Sequence, residues 1–189
     1  KELKWEKTTE DWQHQFEYDR DVTGRRTAMM ALAKIAKNDS TSQPVRDRIH
    51  ASFRKVIQGS AYWRVRYSAL LSLQSLMAPD PTKPAKLDAP TTDMLFSIVQ
   101  NEKSWNRTAA LALLGTTKSP QYAELYLQYL GDESDRVVNA AAVALGSSQS
   151  PKAYDALVRL KNKPSWKNQS LISALNGLKA LQDPRGGTF

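Results

Sequence analysis

The sequence predicts an all-α fold, an α-α superhelix of about four to five antiparallel helix pairs with a short extended segment in front. Three observations predict it. One short pattern recurs at intervals of a helix pair. Apolar residues between the copies fall at helical spacing. Only the first seven residues alternate like a strand.

In chain order, Lys1-Glu2-Leu3-Lys4-Trp5-Glu6-Lys7 puts Leu3 and Trp5 on one side. A lone strand leaves backbone donors and acceptors unpaired. Residues 1–8 are therefore an extended arm on the first helices or the remnant of a preceding β domain. The absence of an initiating Met favours the second. Residues 9–182 form the helical repeat. Its first pair begins near Thr9, with Trp12 and Phe16 facing inward. Val45, Ile49, Phe53 and Val56 form an amphipathic stripe between Ser42 and Gln58. The segment from Pro79 to Pro90 holds four prolines and is not helical throughout. Met94, Leu95, Ile98 and Val99 make the next stripe. Tyr122, Leu125, Tyr126 and Tyr129 follow Ser119-Pro120, and Tyr154, Leu157 and Val158 follow Ser150-Pro151. Each Ser-Pro pair reads as an N-cap with a first-turn proline. Gly115, Gly131 and Gly146 fall where helices should stop. Residues 183–189 form a flexible tail.

The recurring pattern is a small or polar residue, an aromatic or aliphatic one, then R-x-x-A-x-x-x-L. Its copies are Arg25 with Ala28 and Leu32, Trp63 and Arg66 with Ala69 and Leu73, and Trp105 and Arg107 with Ala110 and Leu114. In the fourth, Val138 replaces the arginine ahead of Ala141 and Leu145. A degenerate fifth runs Trp166-Lys167-Asn168 with Leu171 and Leu175. The anchors 25, 66, 107, 138 and 168 stand 41, 41, 31 and 30 apart, the period of stacked helix pairs. The alanine and leucine, four apart, share one helix face. The alanine admits a neighbouring helix and the leucine fills the groove beside it. Ser104 and Ser165 stand where they can cap the helices opening at Trp105 and Trp166. The arginine reads as a structural ladder that reaches carbonyls or acids of a neighbour. In period and pattern the copies resemble HEAT and armadillo repeats.

The charge is +8. Fourteen basic and nine acidic side chains lie in residues 1–66, against 13 and 10 in 67–189. The excess is spread out and interleaved with acids, as in Asp19-Arg20-Asp21, so it reads first as a solvated helical surface. Hydrophobic residues at 41% suit a folded domain. No run approaches the roughly 20 apolar residues of a membrane span. Without cysteine there is neither disulfide nor thiolate metal site.

No catalytic set stands out. His14 and His50 are far apart, and His14 is followed by Gln15. No H-E-x-x-H, phosphate loop or G-x-S-x-G occurs. Asp132, Glu133 and Asp135 sit at a helix start, where carboxylates complement the macrodipole. No catalytic, cofactor-binding or metal-binding residue is assigned.

The run from Leu3-Lys4-Trp5-Glu6 through Trp12-Gln13-His14-Gln15-Phe16 to Asp19-Arg20-Asp21-Val22-Thr23-Gly24-Arg25-Arg26-Thr27-Ala28 resembles the entry into the C-terminal helical region of bacterial aminopeptidase N-like zinc metallopeptidases. The resemblance implies a non-catalytic helical domain that shields the active site, helps shape access for the substrate tail and mediates protein interaction. It implies zinc in a parent catalytic domain alone, since the family's metal-binding and exopeptidase motifs are missing here. Two other readings stay open. A basic concave face carrying Arg25, Arg26, Arg64, Arg66 and Arg107, with Trp63, Trp105 and Trp166 as stacking residues, would suit nucleic acid. A free-standing scaffold would bind protein along the superhelix.

Overall fold

The computed structural model describes residues 7–59 and 62–183. Among them are ten α-helices and no strand, so the all-α class read from the sequence holds. The alternating segment at the front lies outside the described residues except for Lys7 and Thr8, whose backbone is non-helical. Of the tail, only Asp183 is described. The helices divide into two compact units, the first ending at Pro79 and the second beginning at Asp80.

The first unit holds α1 (Thr9–Tyr18), α2 (Val22–Lys37), α3 (Gln43–Gly59) and α4 (Trp63–Met77). Thr8 and Asp11 close a capping box over α1, each satisfying the other's backbone N–H. Asp21 caps α2 by accepting from the Gly24 N–H at 2.8 Å. α1 packs on α2 and α3, α3 on α4, and α2 on α4. Phe16, Ala28, Leu32, Ile49, Phe53, Ala69 and Leu73 are fully buried between them. Phe16 and Phe53 meet as tilted rings 4.9 Å apart. Trp12 is half-buried, and the Lys7 ammonium lies 4.5 Å from its ring.

The second unit opens with a non-helical strap tied down by Ala85 N–H to the Thr116 carbonyl, 2.9 Å, and Lys118 Nζ to the Thr82 carbonyl, 2.8 Å. Its prolines keep it out of helix, and α5 (Ala89–Asn101) starts with Pro90 in its first turn and Asp88 as cap. Then come α6 (Ser104–Gly115), α7 (Ala123–Tyr129), α8 (Asp135–Ser147), α9 (Ala153–Lys161) and α10 (Gln169–Leu181). α6, α8 and α10 stack side by side, while α5, α7 and α9 each pack on the helix that follows them. Ala110, Leu114, Ala141 and Leu145 are fully buried in this row.

Four local expectations need correction. Lys103, not Ser104, is the cap residue of α6, and Ser104 is its first residue, at φ 45°. Neither Ser-Pro pair caps an α-helix by its serine side chain: Pro120 opens a 3₁₀ turn ahead of α7, and α9 begins beyond Pro151. Trp166 opens a 3₁₀ turn rather than α10, although Ser165 Oγ accepts from the Ser170 N–H at 2.8 Å across it. The fifth copy is out of register. Leu171 is half-buried and Leu175 exposed, while Ser170, Ser173, Ala174, Gly177 and Leu178 are buried. The seam thus runs Ser170-x-x-Ser173-x-x-x-Gly177, two residues later than the Asn168 anchor. Serine and glycine replace the alanine and leucine, so a residue-type match slides past it.

Candidate binding surface

The last four carbonyls of a helix have no partner within it. In the first unit, α1 ends at Tyr18, and Arg25 Nε donates to the Phe16 carbonyl at 2.9 Å. In the second, α5 ends at Asn101, and Arg107 Nε donates to the Val99 carbonyl at 2.9 Å. Both carbonyls stand two residues before the end of the preceding helix. The motif arginine therefore closes the helix before it, a packing role that propensity alone does not supply. Burial pulls the Arg25 guanidinium below its ordinary value, and the Asp19 carboxylate works against that shift. Arg107 also pairs with Asp132, Nη1 to Oδ2 at 2.6 Å, and lies 5.0 Å from the Tyr129 ring. The Tyr129 hydroxyl donates to the same Val99 carbonyl at 2.9 Å. Arg66 is half-buried. At position 138 no donor is needed: α7 ends at Tyr129, and the Leu127 carbonyl, again two residues before the end, accepts the Leu130 N–H at 3.3 Å. Val138 is accordingly buried as an apolar residue.

The tryptophans stay outside these seams. Trp63 and Trp166 are exposed, at 39% and 72%, and Trp105 is half-buried. Each lies at the entrance to a motif helix with a cation against its ring: Arg64 at 5.3 Å from Trp63, Arg136 at 3.6 Å from Trp105, and Lys167 at 4.2 Å from Trp166. Their common setting is a surface or half-buried position with a cation against the ring. His14 is exposed, 5.2 Å from the Tyr18 ring. Among the described residues no three His, Asp or Glu side chains gather into a group able to hold a metal.

Within the first unit the N-terminal halves of α2 and α4 leave an open groove of about 250 Å³. Phe16, Val22, Met29 and Val65 give it an apolar floor. Arg25, Arg26 and Arg64 supply three guanidinium groups, and Tyr62 and Ser68 complete the lining. Among the described residues no carboxylate lines it. The arginines were visible in the sequence as members of a basic row. The apolar floor was missed, although Val22 and Met29 stand seven apart and Tyr62 and Val65 three apart, each pair on one helix face. What hid it is that the pairs belong to different repeats. Chemically, such a groove can seat one apolar side chain next to negative charge.

Residues 92–176 match the model of the HEAT repeats family. That span runs from α5 into α10, so the likeness to HEAT repeats covers these helices. A search of curated proteins gave no match. No described helix is long and apolar enough to cross a membrane.

Proposed function

We propose that the chain works by binding protein and performs no chemistry of its own, as the C-terminal helical-repeat part of an aminopeptidase N-like zinc metallopeptidase. There it packs on the catalytic part and shields it. HEAT repeats are helical scaffolds for protein interaction, and the match over residues 92–176 supports the coarser half of this reading. The observation that carries it is how the charged groups are used. Two motif arginines, the residues best suited by recurrence to be functional, hold carbonyls inside their own helix pairs. What faces outward is an open groove with an apolar floor and a basic lining.

The finer half rests on the run from Leu3 through Trp12 to Ala28 and its likeness to the entry of that family's helical region. On this reading residues 1–8 continue a preceding β domain, residues 9–182 form the repeat, and zinc belongs to the catalytic part alone. The test is to express the segment that the same reading frame encodes ahead of Lys1. Hydrolysis of an aminoacyl-p-nitroanilide is then measured with and without this chain, and their association is followed by size exclusion. Co-elution with a rise in turnover is the expected result. An upstream segment without H-E-x-x-H, or one that neither binds nor responds to the chain, overturns the peptidase assignment.

A further inference from the structure

The groove of the first unit brings together features that the repeat itself does not require. Val22 and Tyr62 on its rim are large apolar residues more than two-fifths exposed. Arg26 and Arg64 are exposed, and among the described residues neither stands in an ion pair. α2 and α4 both start at the groove, and neither has an acidic residue in its first turn. α4 has no side-chain cap at Tyr62. The uncapped N-terminus of α4 therefore adds positive potential to that of three guanidinium groups; the Asp21 carboxylate caps α2, and among the described residues no carboxylate lies in the lining. The volume falls below the roughly 300–1,000 Å³ of sites that enclose a drug-sized ligand. It suits one anchoring side chain from a longer chain lying across the surface.

From this geometry we infer that the groove is a docking site for an acidic peptide segment of a partner protein. One aliphatic or aromatic side chain of the segment rests on Phe16, Val22, Met29 and Val65. Its flanking carboxylates face Arg25, Arg26 and Arg64. Arginine suits this use, because its planar fork pairs with carboxylates in two-point fashion while its face lies against apolar groups. The apolar floor favours a peptide over a nucleic-acid backbone, which would need phosphate contacts along a track and no buried aliphatic anchor. The inference rests on the reading of the chain as a protein-binding module and names the chemistry of its partner.

The experiment uses the full chain and fluorescein-labelled probes: a ten-residue Glu/Asp peptide with one central Leu, the same peptide with Ala for Leu, its Gln/Asn counterpart, and a 20-nucleotide single-stranded oligothymidylate. Binding is followed by anisotropy at low and physiological salt. The acidic Leu peptide is expected to bind, and the Ala and Gln/Asn peptides to bind at least about tenfold more weakly. The double variant Arg26→Ala/Arg64→Ala changes exposed residues only and should keep its circular dichroism and Tm while losing at least about tenfold in affinity. Equal binding of acidic and neutral peptides, full affinity in the double variant, tighter binding of the oligonucleotide, or no binding by the unaltered chain each overturns the inference. The double variant also enters the aminopeptidase mixing experiment. Lost peptide binding with intact stimulation separates the groove from the peptidase assignment, and a failure of stimulation beside intact peptide binding sinks that assignment alone.

Discussion

At the scale of single residues, the motif arginine links the repeat to its physics. A guanidinium offers several donors in a fixed fork, so Arg107 can hold the Val99 carbonyl through Nε and Asp132 through Nη1 at once. Lysine would have to reach both acceptors from a single nitrogen, without the spread between Nε and Nη1 that fits them here. The pair is largely withdrawn from water, the two side chains being 16% and 6% exposed. Asp132 also receives the Ser134 N–H at 2.8 Å, which fixes its position at the start of α8. Removing the arginine leaves that carboxylate without its counter-ion, the situation in which breaking a buried pair costs about 3–5 kcal/mol. Arg107→Ala should therefore lower the unfolding free energy in urea by about 3 kcal/mol. Tyr129 still holds the Val99 carbonyl, which keeps the loss at the lower end of that range. A change under about 1 kcal/mol would mean that the pair contributes little beyond a surface contact.

At the scale of elements, the close approach of α8 to α10 depends on glycine. Gly115, Gly146 and Gly177 stand 31 residues apart, and the sequence reading took the first two for helix stops. Gly115 ends α6 and Gly146 is the last residue but one of α8, while Gly177 lies inside α10. A Cβ on Gly146 would collide with the Gly177 carbonyl oxygen, and one on Gly177 would come within 2.6 Å of the Ala142 carbonyl oxygen and of Leu157 Cδ2. Backbone touches backbone there, and backbone cannot rotate aside as a side chain does. Gly146→Ala should cost about 1–3 kcal/mol, the usual range for an overpacked seam, read as a lower urea midpoint at unchanged slope. Gly131→Ala is the internal control: its Cβ would meet only the Gln128 carbonyl oxygen, at 3.9 Å. It should be neutral or slightly stabilising. An equal loss in both variants would show that glycine at 146 matters for its own conformation and not for the approach of α10. The same elements show what the sequence made legible. Helix positions and the paired order followed from 3.6-residue periodicity, because apolar stripes are local. The last register did not, because Ser173 and Gly177 carry no apolar signal and only the neighbouring helix reveals why they are small. The groove stayed hidden for a related reason: α2 and α4 each look like ordinary amphipathic helices until they lie side by side.

At the scale of the whole molecule, the response to acid should begin where hydrogen bonds hold carboxylates in the folded chain. In the first unit the Thr8 backbone and side-chain donors hold Asp11 below the ordinary carboxylate value, and the Asp21 N–H does the same for Asp19. Burial works to raise Glu17, but hydrogen bonds from Lys55 and Ser52 outweigh it and leave that group lowered too. In the second unit Asp80 is lowered too, by the Thr82 side chain and backbone. A carboxyl with a depressed native pKa binds fewer protons folded than unfolded near pH 4. Its stabilisation is complete above the unfolded value and is lost as the pH falls through the native one. The Lys55 ammonium, raised through its bond to Glu17, stays charged throughout this window and gives up its contribution only in alkali. The groups that let go are those that start α1, end it and tie it to α3, since Glu17 lies on α1 and Lys55 on α3. Amide exchange compared at pH 6 and pH 2.5, after correction for intrinsic rates, should therefore show protection falling in α1 and in the helices it covers. Unchanged protection of α1 at pH 2.5 would place the acid-labile interactions elsewhere.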